Sequence, residues 1–428
     1  MFLTKTKFKF TNRDDKAIEG EHMIFCSRTM PTLVMEQIVL VPQCDLDDVS
    51  LRASLDIRSL PLQQRMQVGN CTDGCEMLMH VEARGGNSTA GIAVKLDCSR
   101  TDFIRKQQWG YESDYTAHVL RGKASAGEKI IFTTYTSYVP STMHSEPHLQ
   151  AVRMIKMALW NGFDSIRKAN KNAWTEIWKG CPVIKGADPR WQDVIEASYF
   201  YLYSTMHSSA PYGIAPYGLG QRHAYKGHVF WDCESFMFMV PLLTDPHIAE
   251  AMLDYRFDRL EAARNNARLN GYLGVQFPWQ SLSSGDEVTR VSAGQAGGAG
   301  EQHINMDVAM TFAAYSYVSG DAVFLKEKAW PVVSGVAKWI ESRVTKTERG
   351  YEILHVCGID ESKDNVDNDG FTNIMCSMVL REANKMAVKL GYCGHRLCPA
   401  QRRDLLLPLQ RRPVPAGERG PYRPAHSR

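Results

Sequence analysis

The hydrophobic period of this chain changes near residue 148, and that change restricts it to folds with a β-rich part ahead of a helical one. Before it, Val49, Leu51, Ala53, Leu55 and Ile57 alternate with polar residues, the spacing of a strand with one buried face. His22–Ser27, Leu33–Val41, Glu76–Glu82, Ala90–Leu96 and Lys129–Tyr138 read as further strands, several of them separated by Gly, Asn or Asp. Such turn residues suit antiparallel meanders, and a strand set of this size can bury its apolar faces as a sandwich.

Beyond residue 148 the period is helical. Val152, Ile155, Ala158 and Leu159 share a face within Leu149–Asn172. Asp188-Pro189 then opens a helix, because Asp caps well and proline is tolerated at the first helical position. Trp191, Val194, Ile195, Tyr199, Leu202 and Met206 follow at three- and four-residue spacing. Asp245-Pro246 repeats the signal, and Ile248, Met252, Tyr255, Leu260 and Ala263 continue to a stop at Gly271. Further helices are expected over Met306–Val318 and Asn373–Leu390, with a strand-like segment at Tyr351–Val356. The expected division is a sandwich over 1–147, a helical linker over 148–187, a helical domain over 188–392 and a tail over 393–428.

Composition narrows the class. Of 428 residues, 44% are hydrophobic and 23% charged, as in ordinary globular proteins, and a net charge of +3 is too small to argue for nucleic acid. No apolar run approaches the roughly 18 residues that span a bilayer, so no membrane partner is expected. The start has no continuous apolar segment of a signal peptide, which favours a cytoplasmic location. Eleven cysteines is an odd count, and neither Cys71/Cys75 nor Cys393/Cys398 has a second pair at zinc spacing. With no HExxH, phosphate loop or nucleophile elbow, no metal and no cofactor are expected.

Six motifs carry the chemistry: Gly227–Phe236 (GHVFWDCESF), Phe277–Ser281 (FPWQS), Ser284–Thr289 (SGDEVT), Glu301–Asp307 (EQHINMD), Gly358–Ser362 (GIDES) and Val366–Asn373 (VDNDGFTN). Aromatic faces cover the C–H faces of sugars, carboxylates and amides bind their hydroxyls, and a carboxyl of raised pKa can protonate a glycosidic oxygen. By residue type alone, each has a plainer reading. Glu361 and its neighbours Asp360, Asp364, Asp367 and Asp369 suit a solvated acidic loop or a calcium loop. Trp231 and Asp232 suit a helix start with a core tryptophan, Trp279 a structural indole in a loop stiffened by Pro278, and His303 a satisfied core histidine.

The order and spacing of these motifs resemble the catalytic domain of glycoside hydrolase family 65, over roughly residues 150–392. That family includes inverting α-glucoside hydrolases, phosphorylases of kojibiose, maltose and trehalose, and glucosidases of glucosylgalactosylhydroxylysine. The resemblance implies a mainly α fold, a partial (α/α)6 barrel preceded by an antiparallel β-sandwich. It implies Glu361 as general acid, Trp231, Asp232 and Trp279 around the bound glucosyl unit, and His303 and Asn305 binding hydroxyls or ordering the residues behind them. Cys233 stands where the family more often has Thr. The implied partner is an α-glucoside, joined by inorganic phosphate if the enzyme is a phosphorylase. A catalytically inactive sugar-binding fragment is the rival from another class.

In family 65 the nucleophile side, a base or a phosphate site, comes from later in the barrel, and this sequence leaves the pattern after about Tyr392. The sandwich is also shorter than usual, so the chain is expected to be incomplete at both ends. Residues 393–428 contain arginine but no lysine, and prolines at 399, 408, 413, 415, 421 and 424. Repeated prolines break helices, so the tail reads as disordered, the mark of a frameshift or misassembled end. A basic tail that binds nucleic acid is the alternative.

Overall fold

The alternation ahead of residue 148 builds, among the described residues, ten strands: β1 (Thr4–Thr11), β2 (Ala17–Cys26), β3 (Leu33–Pro42), β4 (Leu46–Asp56), β5 (Leu62–Val68), β6 (Met77–Ala83), β7 (Thr89–Cys98), β8 (Ile104–Trp109), β9 (Tyr115–Ala124) and β10 (Ile130–Pro140). This computed structural model describes residues 3–392 apart from 14, 69–73, 85, 87, 110–113, 211, 220–223, 290–299, 362 and 364. The tail over 393–428 lies outside the described residues, as do Cys71 and Asp364. The chain divides into two units, Met1–Cys181 and Pro182–Arg428.

In the first unit the strands pair into a seven-stranded sheet, ordered β1-β2-β3-β10-β7-β6-β5, and a three-stranded sheet, ordered β4-β9-β8. The middle strands of the larger sheet are buried on both faces. Leu40, Leu96, Ile130 and Phe132 meet Leu46, Val49, Leu120 and Ala124 of the smaller sheet, which makes the sandwich. Residues of the other parity, Leu33, Met35, Ala93, Tyr135 and Val139, pack with Ala151, Val152, Ile155 and Ala158 of helix α1 (Pro147–Asn161). The helix lies so close that a Cβ at Gly91 would stand 2.3 Å from the His148 backbone.

Gly162, at φ 75°, ends α1. Helix α2 (Phe163–Trp178) follows, and its Phe163 and Ile166 join the same core. The helical stretch expected over Leu149–Asn172 is therefore two helices. Residues 148–181, read from the sequence as linker, belong to the first unit. The sequence reading passes over β1, β5 and β8, which are edge strands of the two sheets, and β9, the middle strand of the smaller sheet. Edges keep polar side chains and so lose the apolar alternation.

In the second unit both Asp-Pro signals cap helices. Asp188 accepts from Arg190 N at 3.0 Å ahead of α3 (Pro189–Ser204), and Asp245 accepts from Ile248 N. Between them α4 (Met239–Thr244) leads into α5 (Pro246–Phe257). The single helix expected up to Gly271 breaks at Arg259 and resumes as α6 (Leu260–Leu269). At the break, the Arg259 guanidinium donates to the carbonyls of Tyr255 at 2.8 Å and Ser283 at 2.6 Å, so the interruption holds the loop beyond α6.

Helix α7 (Ile304–Ser319) is buried on nearly every side and packs against α5 and two later helices. Gly320, at φ 64°, ends it. A turn capped by Asp321 and a π-turn over Leu325–Ala329 then run into α8 (Trp330–Arg343), a segment the sequence reading left unassigned. A hairpin of β11 (Thr345–Thr347) and β12 (Gly350–Glu352) precedes α9 (Gly370–Lys389), so the strand expected over Tyr351–Val356 ends at Glu352. No helix among the described residues is long and apolar enough to cross a membrane.

Candidate active site

Four loops of the helical unit carry the motifs, and direct contacts join them. The first runs from Ala224 into α4. Val229 exchanges backbone hydrogen bonds with Ser281, at 3.1 and 2.9 Å, which ties this loop to the FPWQS loop. Past Trp231 and Asp232 the chain makes a π-turn over Cys233–Met237. Glu234, in that turn, faces inward and is only 4% exposed. It accepts from Arg256 Nε at 2.6 Å and Nη2 at 3.1 Å, and this buried pair fixes the turn that presents Asp232.

The FPWQS loop is held from two sides. Asn305, wholly buried, accepts from Phe277 N at 3.0 Å and donates to Val275 O at 2.9 Å. Glu287 accepts from the backbone N–H of Trp279 at 2.6 Å, Gln280 at 3.2 Å and Thr289 at 3.0 Å. The half-buried Trp279 meets Phe230 edge to face, with centroids 4.8 Å apart. Its Nε1 is buried and has no hydrogen-bond partner among the described residues. Gln280 Nε2 donates to His228 Nδ1 at 2.6 Å.

The third loop delivers Glu301 and His303 to the start of α7, both shut away from solvent. His303 Nδ1 donates to Asp307 Oδ2 at 2.8 Å, one helical turn along. Its Nε2 stands 3.7 Å from Glu301 Oε2. Trp231 and Phe371 flank the imidazole edge to face, at 4.9 and 5.3 Å.

The fourth loop closes on itself before α9. Val356 and Val366 exchange backbone hydrogen bonds at 3.0 and 2.7 Å, and Asn368 binds Ile353 N at 3.1 Å. Cys357 N donates to Gly300 O at 2.9 Å, and Arg343 bridges Gln302 Oε1 to Leu354 O, so the third and fourth loops are joined. Glu361 stands largely exposed in a turn just after Asp360.

The charges of these loops act on one another. Partial burial, then the charges of Glu301 and Asp232, push the Glu361 carboxyl above its ordinary range, while His303 opposes them. Burial, with a contribution from Glu234, raises Asp232. Burial alone would lower His303, but Asp307 and Glu301 outweigh it and lift the ring to about 9, so it is an imidazolium at neutral pH. Burial and then Lys226 lower His228, which fits a neutral ring accepting from Gln280.

The structure thus brings Trp231, Asp232, His303 and Glu361 together, with Trp279 beside Phe230. Asn305 stands behind them and shapes the loop that bears Trp279. Sequence reasoning missed Arg256, Glu301 and Tyr225. Tyr225 lies at φ 57°, and the charges of Asp232 and Glu361 both reach its phenol. Of the three, Glu301 alone had a signal, as the first residue of a motif already singled out. No cluster of three His, Cys, Asp or Glu side chains suited to a metal ion occurs among the described residues.

A kojibiose hydrolase of Flavobacterium johnsoniae is 37% identical over 281 residues, which covers 65% of this chain and 41% of that protein. A protein-glucosylgalactosylhydroxylysine glucosidase of Gallus gallus is 36% identical over 234 residues, covering 52% of this chain and 33% of that protein. The chain thus spans well under half the length of these relatives. A solved structure of a candidate kojibiose phosphorylase from the human microbiome superposes with a TM-score of 0.81 at 18% identity, covering 94% of this chain and 55% of that one. That likeness shows the expected fold, an antiparallel β-sandwich followed by a partial (α/α)6 barrel. Two family models match in the same order, the glycosyl hydrolase family 65 N-terminal domain over residues 3–177 and the family 65 central catalytic domain over residues 197–397, so the chain belongs to glycoside hydrolase family 65.

Proposed function

We propose that this chain carries the acid side of an inverting site that cleaves α-linked glucosides, with Glu361 as general acid. The observation that carries the reading is the convergence on Glu361, whose carboxyl is raised and within electrostatic reach of Asp232 and His303, with Trp231 packed against His303. A raised carboxyl retains its proton further towards neutral pH, as an acid catalyst requires. In the reaction Glu361 gives that proton to the glycosidic oxygen as the C1–O bond breaks, and a nucleophile adds to C1 from the opposite face. Asp232 binds two adjacent hydroxyls of the glucosyl unit, and Trp231 and Trp279 wall it. His303 and Asn305 order these groups from behind.

The named relatives point to a glucose disaccharide such as kojibiose, or a glucosyl-galactosyl unit, as substrate. The nucleophile is water in this reading. A kojibiose phosphorylase of Escherichia coli, 29% identical over 257 residues, supports a second one, in which inorganic phosphate attacks C1, the aglycone departs with the proton of Glu361, and glucose 1-phosphate is the product. An assay of the 428-residue chain on kojibiose, with and without phosphate, separates the two by product. In a chain that also supplies the nucleophile side of the site, Glu361→Gln is expected to lower kcat about 10²–10⁴-fold on kojibiose, and less on a glucoside with an activated aryl leaving group. Near wild-type turnover of kojibiose by that variant would remove Glu361 from the role. Glucose binding by calorimetry with no turnover at all would favour a sugar-binding fragment.

A further inference from the structure

Glu301 is not explained as part of the fold. Its carboxyl is 1% exposed, and Oε2 has no hydrogen-bond partner among the described residues. Its ion-pair partner among the described residues, His303 Nε2, is 3.7 Å away, beyond a direct hydrogen bond, and has no hydrogen-bond partner there. Arg343 donates to the neighbouring Gln302 and to Leu354 O. Burying a carboxylate so incompletely paired costs stability, and a costly group at the wall of a site is a candidate for function. Glu301 is also attached to the acid's own segment. Oε1 lies 4.0 Å from Cys357 Sγ, and Gly300 O accepts from Cys357 N, four residues before Glu361.

We infer that Glu301 is a positioning residue for Glu361. From behind the 357–361 segment, Glu301 and the imidazolium of His303 exert opposing fields on the acid, and Glu301 keeps the proton on Glu361 until the leaving oxygen takes it. The inference rests on the reading of Glu361 as general acid. The other groups that face Glu361 are Asp232 and the Tyr225 phenol, with Asp360 and Lys363 on its own loop. Asp232 adds to the effect of Glu301, and His303 subtracts from it.

The test follows Glu361 by carbon-13 NMR of side-chain carboxyl-labelled glutamate in the full chain, with Glu361→Gln assigning the resonance. Glu301→Gln is expected to move the Glu361 midpoint down towards the ordinary 4.5. His303→Gln is expected to move it up. Opposite shifts are the signature of charge, since two variants that merely loosened the wall would move it the same way. Glu301→Asp, which keeps the charge, should retain the raised midpoint, and it provides the reading if Gln does not fold at this buried position. A Glu361 midpoint indifferent to Glu301, or an Asp variant that behaves as uncharged, overturns the inference. The titration needs no turnover. It can therefore succeed in a chain that cleaves nothing, and it can fail in one that cleaves kojibiose through Glu361.

Discussion

Arg256 and Glu234, 22 residues apart, form a two-point ion pair with both side chains almost wholly buried. The pair sits under the π-turn that follows Trp231 and Asp232, so its geometry passes directly to the proposed glucosyl site. Breaking one side leaves an uncompensated buried charge, which costs about 3–5 kcal/mol, whereas removing both sides costs far less. Glu234→Gln is therefore expected to lose more stability in urea unfolding than the double variant Glu234→Gln/Arg256→Met. If the double variant loses the sum of the two singles, the pair does not act as a unit.

His303 makes stability depend on pH on the alkaline side. Its folded pKa of about 9 lies above the ordinary 6.5. The ring's contribution is therefore complete below about 6.5 and is lost as pH rises through about 9, on the order of 3 kcal/mol in all. Burial raises Asp307 and Asp232 as well, but carboxylates raised by burial act on the acid side, outside this window. Thermal melts between pH 7 and 10 should show a steeper fall in Tm for the wild type than for His303→Gln. Lysines and tyrosines titrate in both proteins, so the difference isolates His303. Parallel curves would mean that His303 is neutral in the fold.

Much of this was legible in the sequence because the signals were local. Asp188-Pro189 and Asp245-Pro246 cap helices by contacts a few residues long, and the near-continuous apolar run over Leu33–Val41 reports two buried faces directly. Trp231, Asp232, His303 and Glu361 were visible as motifs. What joins them was not. The partner of Glu234 lies on another helix, and the field of Glu301 on Glu361 spans two loops. Pro331 would break a helix interior, yet it occupies the first turn of α8, just after a π-turn has shifted the helical phase. Asn305 has the residue type of a sugar ligand, and only its contacts with Val275 and Phe277 show that it supports a loop.

Glu287 does for Trp279 what Asn305 does for the start of the same loop. Its carboxylate gathers three backbone N–H groups and the Thr289 hydroxyl. Hydrogen bonds to a charged group contribute about 1.5–3 kcal/mol each, and half-buried donors left without an acceptor add a penalty. Glu287→Ala should therefore free the Trp279 loop, weaken glucose binding about tenfold or more in calorimetry, and leave the Glu361 titration unchanged. Unaltered glucose affinity in a variant whose tryptophan emission has shifted would place Trp279 outside the glucosyl site.

Gly358 links the acid's segment to the cap of α9. A Cβ at this position would stand 2.4 Å from Asp369 Oδ1, closer than any real contact. Asp369 is occupied, since its Oδ2 accepts from Thr372 N at 2.8 Å and from Thr372 Oγ1 at 2.9 Å. Gly358→Ala must then push the carboxylate off the helix end or move the 357–361 segment. Loss of a cap costs about 0.5–2 kcal/mol, and Asp369→Ala should cost that much alone. The double variant removes both the clash and the carboxylate that causes it, so it should lose less stability than the two singles added together. The catalytic readout points the same way. If Gly358→Ala displaces Glu361, kcat on kojibiose falls while KM holds, and removing Asp369 as well restores part of it. Strictly additive losses of stability, with no recovery of kcat, would show that residue 358 and the helix cap do not compete for the same space.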